Sequence, residues 1–383
     1  MEMSVKIPLF RIYWDEEDVA NVTAAIRRGT HWAAGPNTST FEAMISEYIG
    51  AKYCVAFNSG TSALHAILLA YDIGPGGEVI VPSFTFIATS NAPLFVGAKP
   101  IFADIEERTY GLAPDDVKQK ITPKTKAILA VHYGGSPCLI RELRELADTH
   151  GLILIEDAAE AFGANINGKK VGTFGHSGMF SFCQNKVITT GEGGAIVTDS
   201  SELYERLKLI RSQGRLETAD YFTSAAYMDY VTLGYNFRIS DISAALGITQ
   251  LKKADKIIEM RRKNAKYMSQ RLSQLEQIML PEIPGDYFHV YQMYAIRVKG
   301  DKDLRDELMA YLGSRGIMTK VNFHPVHLTQ FYREKLGHKT GELPITETLS
   351  NQVLTLPMYP ALTEEEIDYI GEQIEDFFAK SGG

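Results

Sequence analysis

Residues 152–164 read LILIEDAAEAFGA, an apolar run that ends in two acids, Glu156 and Asp157. Such a run predicts a strand buried on both faces, which is typical of a parallel sheet. Ligands of open parallel sheets bind beyond the carboxyl ends of the strands, so an acid here can face a site. From this stretch alone, a helix N-cap and the ribose-binding acid of a dinucleotide fold are also open. No G-x-G-x-x-G turn precedes the run, which weakens the dinucleotide alternative.

Short apolar runs alternate with helical stretches on both sides of this strand. Strands are predicted at Val79–Val81, Pro100–Asp104, Ala127–His132, Phe180–Phe182 and Ala195–Thr198. Helices are predicted at Asp15–Arg28, Ser62–Tyr71, Phe86–Phe95 and Leu139–His150. The alternation predicts an α/β domain with a mostly parallel sheet between helices, over residues 1–250.

The pattern changes after a long helix that is predicted from Asp241 to about Leu275. A strand at Tyr291–Val298 and helices at Asp303–Arg315 and Glu364–Ala379 follow. They predict a smaller α+β domain over residues 251–383. We expect the N-terminal segment of the chain to pack on this smaller domain.

The composition excludes several classes of protein. The formal net charge of −8 argues against binding to nucleic acid, which normally needs a basic face. The three cysteines form neither a disulfide framework nor a zinc pattern, so no metal is expected and a reducing compartment fits best. No run approaches the 18 apolar residues typical of a membrane helix. We therefore expect a soluble, cytoplasmic protein that does not bind membranes.

Residues 178–199, GMFSFCQNKVITTGEGGAIVTD, place Lys186 between an apolar strand and a glycine-rich run. A lone loop lysine is usually solvated. Here apolar segments flank it, Ser181 lies close in sequence, and glycines allow the backbone to approach a ligand. A partly dehydrated lysine amine is suited to Schiff-base chemistry.

Two further stretches are candidates for ligand contacts. Residues 58–70, NSGTSALHAILLA, open a helix with Gly60, Thr61 and Ser62, and a helix start of this kind binds phosphate readily. Ordinary helix capping is equally consistent with it. In residues 81–92, VPSFTFIATSNA, Phe84 follows a strand and is either a core residue or a flat stacking surface.

Four motifs occur together in one order: EDAAE at 156–160, Ser181-Phe182 before Lys186, TGEGG at 190–194 and GYNFR at 234–238. Together they closely resemble the DegT-type nucleotide-sugar aminotransferases, a pyridoxal-phosphate family with the aspartate-aminotransferase fold. The resemblance extends from residue 35 to residue 360. It implies a large domain built on a sheet of the seven-stranded type, and a small C-terminal domain.

The resemblance also implies roles for single residues. Lys186 matches the lysine that forms a Schiff base with pyridoxal phosphate, and Asp157 matches the acid that pairs with its pyridine nitrogen. Phe84 matches the aromatic residue that stacks on the ring. Glu160 matches a position, often Gln, near the phenolic oxygen. The positions that match phosphate ligands are Gly60, Thr61, Ser62, Ser181 and Asn236.

Asn236 matches a ligand that the neighbouring subunit delivers, which implies a homodimer with shared sites. The implied reaction takes an amino group from L-glutamate, releases 2-oxoglutarate, passes through pyridoxamine phosphate and aminates a keto nucleotide sugar. The TTGEGG run after the lysine resembles the branch that acts on 4-keto-6-deoxyhexoses, and the Asn185–Lys186 pair resembles perosamine-type enzymes. Many C4 members have a histidine shortly before the lysine, where this chain has Cys183-Gln184-Asn185.

The substrate contacts and the exact substrate stay open at this point. Candidate substrate residues are Trp32, Arg238, His324 and His327, although hydrogen-bonded structural histidines and an arginine that braces the dimer loop are equally consistent. A 3-keto nucleotide sugar and a cyclitol ketone are alternative acceptors. A non-enzymatic regulatory role is a third alternative, which the intact set of cofactor residues disfavours.

Overall fold

The computed structural model describes residues 6–216 and 224–381 of the chain. The helices are α1 (Glu16–Arg27), α2 (Pro36–Ile49), α3 (Gly60–Ala70), α4 (Ile87–Phe95), α5 (Pro114–Lys120), α6 (Ile140–His150), α7 (Ser201–Arg211), α8 (Asp241–Lys252), α9 (Ala254–Leu272), α10 (Lys302–Ser314), α11 (Gln330–Leu336), α12 (Pro344–Gln352) and α13 (Glu364–Ser381). The strands are β1 (Tyr53–Phe57), β2 (Glu78–Pro82), β3 (Lys99–Ala103), β4 (Thr125–Val131), β5 (Ile153–Asp157), β6 (Asn165–Ile166), β7 (Lys169–Lys170), β8 (Ser177–Ser181), β9 (Gly194–Thr198), β10 (Ile278–Met279), β11 (Tyr287–Phe288), β12 (Tyr294–Val298) and β13 (Val353–Leu356).

The central sheet has seven strands in the order β1-β9-β8-β5-β4-β2-β3. The neighbours β2 and β3, β2 and β4, β4 and β5, and β5 and β8 pair in parallel, whereas β9 runs antiparallel to both β8 and β1. The predicted α/β fold with a mostly parallel sheet is confirmed. Because β4, β5 and β8 share one direction, Val131, Asp157 and Ser181 end at the same edge of the sheet.

Helices cover both faces of this sheet because its strands are apolar on both sides. In β1, Val55 and Phe57 pack into one layer with helix α3, whereas Cys54 and Ala56 pack into the other with α2 and α8. This period-two alternation is the geometry of an extended strand. The site described below therefore rests on a rigid, two-sided core.

A second sheet of three antiparallel strands has the order β10-β12-β13. It shares a separate apolar core with residues of α9, α10 and α13, including Leu308 and Ile370, both fully buried. Ile7 joins this core and forms a parallel bridge with Ile317, so the N-terminal segment reaches across to it. We propose a domain boundary near residue 250, as the sequence predicts.

The long helix predicted from Asp241 is wrong as a single element, because it is divided into α8 and α9 at Lys253. The side chain of Lys253 is buried and donates to Asp15 (2.5 Å) and Asp18 (2.9 Å) at the start of α1. Strand β1 was absent from the sequence prediction. Within the described ranges, no helix combines the length and apolar character needed to cross a bilayer.

Candidate active site

A cavity of about 590 Å³ opens at the carboxyl edge of the central sheet. Its base is formed by the ends of three parallel strands, at Val131, Asp157 and Ser181. The start of α3 and the loop that bears Lys186 form part of its walls. The fold therefore brings together three of the stretches that the sequence singles out.

Lys186 lies in the loop between β8 and β9, and its side chain is 13% exposed. Its Nζ is 3.5 Å from Oε1 of Glu160, and the other oxygen of Glu160 accepts a hydrogen bond from the Gly134 amide (2.9 Å). The loop is held by the Gln292 side chain, whose Nε2 donates to the Asn185 carbonyl (2.7 Å). A fixed amine beside a fixed carboxylate can act as a nucleophile and can exchange protons.

Asp157 is the last residue of β5 and is 4% exposed. Its carboxylate accepts hydrogen bonds from Thr89 Oγ1 (2.8 Å) and from the Ala159 amide (3.2 Å). Burial raises the pKa of this carboxyl, and the hydrogen bonds from Thr89 and Ala159 and the charge of Lys186 oppose that rise. A buried carboxylate at the base of a cavity fits a ligand that presents a protonated ring nitrogen.

The start of α3 offers hydrogen-bond donors, which suit an anionic group, whereas Asp157 suits a cationic one. Ser59 caps the helix by accepting from the Ser62 amide (3.1 Å), and Ser59, Gly60, Thr61 and Ser181 line the cavity. A Cβ on Gly60 would lie only 3.2 Å from the Ser181 Cβ, so glycine lets the backbone approach this wall closely without displacing Ser181. Amides and hydroxyls at a helix N-terminus suit a phosphate group.

Ser62 does not line the cavity, unlike Gly60 and Thr61. Its hydroxyl lies 2.5 Å from Asn58 Oδ1 and 2.9 Å from the Ser59 carbonyl, and the residue is 8% exposed. In this chain the side chain of Ser62 therefore braces the turn before α3. A direct phosphate contact of Ser62 stays a prediction, and Ser59, which lines the cavity, is a further candidate.

The prediction that Phe84 stacks on a bound ring is wrong. Phe84 is fully buried against Tyr110 and Tyr133, with ring centroids 5.7 and 5.1 Å away. Phe86 instead lines the cavity and is 60% exposed. The two aromatics lie only two residues apart in the sequence, at a bend between β2 and α4, and only the packing around Phe84 distinguishes them.

His327 is also placed away from the cavity, which corrects its prediction as a substrate residue. It is fully buried between Ser83 Oγ (2.7 Å from Nδ1) and Glu347 Oε1 (3.2 Å from Nε2). Burial lowers the pKa of its imidazole, so the neutral ring holds this hydrogen-bonded position. Through these two contacts His327 connects the loop after β2 to α12, which is a structural role.

The remaining candidates lie at the surface and do not line the cavity of their own chain. Trp32 is 49% exposed, His324 and Asn236 are exposed, and Arg238 is partly buried with its guanidinium 3.3 Å from Ser212 Oγ. Their roles as substrate or phosphate ligands stay predictions. Each would need to act on a ligand that extends beyond this cavity or on a second copy of the chain.

Glu156 and Asp157 are adjacent in sequence but point to opposite faces of β5. Glu156 is fully buried and accepts hydrogen bonds from His132 Nε2 (2.9 Å) and from the amides of Gly172, Phe174 and Gly175 (2.7, 2.7 and 2.6 Å). It therefore fixes the segment before β8. Only Asp157 reaches the cavity.

Several residues that line the cavity were not predicted from the sequence. Thr89, which orients Asp157, lies in a helix that was predicted without a role for its polar side chains. Further cavity residues come from the N-terminal segment, from the position just before β12 and from the region after α10: Leu9, Phe10, Met293, Met318, Lys320, Asn322 and Phe323. They are distant in sequence from the motifs, and only the fold brings them to the site.

The chain is similar to known proteins over nearly its whole length. The sequence profile of the DegT/DnrJ/EryC1/StrS aminotransferase family matches residues 13–375. GDP-perosamine synthase from Escherichia coli O157:H7 is 40% identical over 339 residues, which is 88% of this chain and 89% of that protein.

Two solved structures extend the similarity to the fold. DesV from S. venezuelae is 35% identical, with a TM-score of 0.88 over 97% of this chain and 98% of that one. The PLP form of Spr1654 from Streptococcus pneumoniae is 27% identical, with a TM-score of 0.91 over 98% of this chain and 99% of that one. The lysine, the buried aspartate and the helix start described above fit pyridoxal phosphate as the bound group, and the protein is a PLP-dependent enzyme. The chain belongs to the DegT/DnrJ/EryC1/StrS aminotransferase family.

Proposed function

We propose that this enzyme transfers the amino group of L-glutamate to a 4-keto-6-deoxyhexose carried on a nucleotide. One observation carries the proposal: the amine of Lys186 lies 3.5 Å from the Glu160 carboxylate in a cavity whose base is the buried carboxylate of Asp157. An amine nucleophile, a proton-exchanging neighbour and a fixed negative charge are the parts that amino transfer needs.

Each of these residues has a definable task. Pyridoxal phosphate supplies, when bound, an aldehyde that combines with amines and a ring that withdraws electrons. Lys186 holds this group between turnovers, and its released amine moves the proton at the donor α-carbon. Asp157, fixed by Thr89, holds the positive charge of the ring nitrogen. Glu160 lies beside the amine, where it can exchange a proton with it.

Several polar side chains line the cavity, which supports a sugar as the amino acceptor. Its lining includes Gln184, Asn185, Glu192 and Asn322, whose amide and carboxylate groups can bind hexose hydroxyls. Cys183, in the run before the lysine where many C4 members have a histidine, lies in the same lining with its thiol 3.6 Å from Glu192. The TTGEGG run and the likeness to GDP-perosamine synthase support C4 as the position aminated.

We expect Phe86→Ala to weaken pyridoxal-phosphate binding by roughly 3- to 10-fold, because one stacked aromatic pair contributes about 0.5–1.5 kcal/mol. Titration of the apoenzyme, followed by absorbance, measures this loss. Phe84→Leu is the matched control: it should lower the melting temperature because it opens the core, while cofactor affinity stays unchanged. If Phe84→Leu weakens the cofactor more than Phe86→Ala does, Phe86 is not the stacking residue.

We further propose a homodimer in which Asn236 reaches the cofactor phosphate of the partner subunit. An aromatic surface surrounds this residue: Tyr235 and Phe237 stack at 4.8 Å, and His65 lies 5.0 Å from Tyr235 and 5.5 Å from Phe95. Phe95 is 48% exposed and Leu233 is 78% exposed. These exposed aromatic and aliphatic side chains form an apolar surface, which supports burial of this face against a second copy of the chain.

The substrate proposal is tested by offering 4-keto-6-deoxy and 3-keto nucleotide hexoses side by side, with L-glutamate as donor. We expect kcat/KM for the 4-keto sugar to be higher by at least about 100-fold, because a site with fixed polar groups rejects substrates that leave them unpaired. The aminated carbon is read by NMR of the product. Amination only at C3, or only of a cyclitol ketone, would overturn the proposed substrate.

A further inference from the structure

Residues 317–322 form an extended segment that carries side chains into the cavity. The Lys320 amide donates to the Thr355 carbonyl (3.2 Å), and the Thr355 amide donates back to the Lys320 carbonyl (2.8 Å), so the segment is fixed on β13. The Met318 amide donates to Ile7 (2.9 Å). The segment is therefore held between β13, through Lys320, and the N-terminal segment, through Met318.

The side chains of this segment alternate, as an extended backbone requires. Ile317 and Val321 are buried in apolar cores, at 0% and 7% exposure. Met318, Lys320 and Asn322 line the active-site cavity. Because neighbouring residues are anchored in the core, Lys320 is directed to the cavity by the geometry of the segment and not by a mobile loop.

The cavity is lined by more acidic side chains than basic ones. Its carboxylates are Asp157, Glu160 and Glu192, and its only cationic side chains among the described residues are Lys186 and Lys320. Lys186 has Glu160 beside it and is used in holding the cofactor, and no carboxylate of the described chain lies within ion-pair distance of the Lys320 ammonium. Lys320 therefore offers an uncompensated positive charge to whatever enters the cavity.

We infer that Lys320 binds the α-carboxylate of the amino donor. The inference rests on the proposed function, in which the donor is an amino acid. The α-carboxylate is bonded to the carbon that loses its proton to Lys186, so it must lie inside the same cavity. A carboxylate there is surrounded by like charges and needs a cation, and the diphosphate of a nucleotide sugar, several bonds from the reacting carbon, can extend outside.

The test is the donor half-reaction of the holoenzyme, followed by the change in cofactor absorbance as L-glutamate is varied. We expect Lys320→Met to need roughly 10- to 100-fold more L-glutamate for half-maximal rate, because it removes a charge-assisted hydrogen bond. Lys320→Arg should stay within about 5-fold of wild type, since a guanidinium also binds carboxylates. Lys299→Met, an exposed lysine outside the cavity, changes the net charge equally and should have no effect.

L-Isoglutamine, in which the α-carboxylate is an amide, separates a local contact from a general loss of function. Wild type should prefer L-glutamate over L-isoglutamine, and Lys320→Met should lose that preference. An unchanged preference in the variant, or a defect confined to the nucleotide-sugar half-reaction, would overturn the inference. If wild type itself fails to react with any amino acid, the proposed function fails instead.

Discussion

Replacing Lys186 by alanine is expected to abolish turnover, with a loss on the order of 10⁴-fold or more, because one side chain supplies both the covalent attachment and the proton carrier. The amine lies beside Glu160 and is mostly buried, so no solvent amine can occupy its place at equal geometry. The variant should still bind pyridoxal phosphate through the remaining contacts, without the visible absorption band of the lysine-bound form. Full activity in Lys186→Ala would remove the assignment.

The same variant tests whether sites are shared between subunits. Lys186→Ala and Asn236→Asp chains should each be inactive as homodimers, but a mixed dimer contains one site with Lys186 from one chain and Asn236 from the other. Random reassociation should restore about a quarter of wild-type activity, since half of the dimers are mixed and one of their two sites is complete. No recovery would show that Asn236 does not act across the interface.

Asp157→Asn is expected to lower kcat by roughly 10²- to 10³-fold, the scale at which loss of a preorganised electrostatic contact acts in other enzymes. The amide keeps the size of the side chain and can accept from Thr89, but it cannot hold the positive charge of the ring nitrogen. Attachment of the cofactor to Lys186 should survive, so colour is retained while turnover falls. Steady-state kinetics and the absorption spectrum, measured on the same sample, separate the two effects.

The pH dependence of cofactor affinity gives a second readout for Asp157. Burial raises the pKa of this carboxyl in the protein without a bound cation, and only the ionised form can pair with a protonated ring. Affinity for pyridoxal phosphate should therefore fall as the pH is lowered through the pKa of Asp157, and this component should be absent in Asp157→Asn. Thr89→Val, which removes one hydrogen bond, is the milder control. Identical pH profiles in wild type and Asp157→Asn would contradict the role of the carboxylate.

The sequence predicted the central sheet well because its strands are local apolar runs. The apolar run at 152–157 predicted β5 and placed Asp157 at its end. The glycine-rich stretch that follows Lys186 indicated this lysine as a candidate site residue. These features depend on residues close together in the chain, and the resemblance to a known family added their roles. The alternation of helices and strands was enough to predict that most strands of the sheet are parallel.

The errors arose where contacts between distant residues decide the outcome. Phe84 and Phe86 are both aromatic, and only the packing of Tyr110 and Tyr133 on Phe84 shows which one is buried. For His327 the sequence is consistent with both a substrate contact and a structural role, and its hydrogen bonds to Ser83 and Glu347 favour the structural role.

Lys320 had no local signal at all. It reaches the cavity because residues 317–322 pair with β13, a contact between segments more than 30 residues apart in the sequence. Hydrophobic periodicity carries no information about such pairings.

We propose that Lys186 carries the cofactor in an aminotransferase site. Borohydride treatment of the holoenzyme fixes the cofactor permanently to its lysine, and mass spectrometry then locates the modified peptide. We expect one modified residue, Lys186, and no modification when the enzyme is first converted by L-glutamate to its amine form. Modification at Lys320 or another lysine, or modification unaffected by L-glutamate, would contradict it.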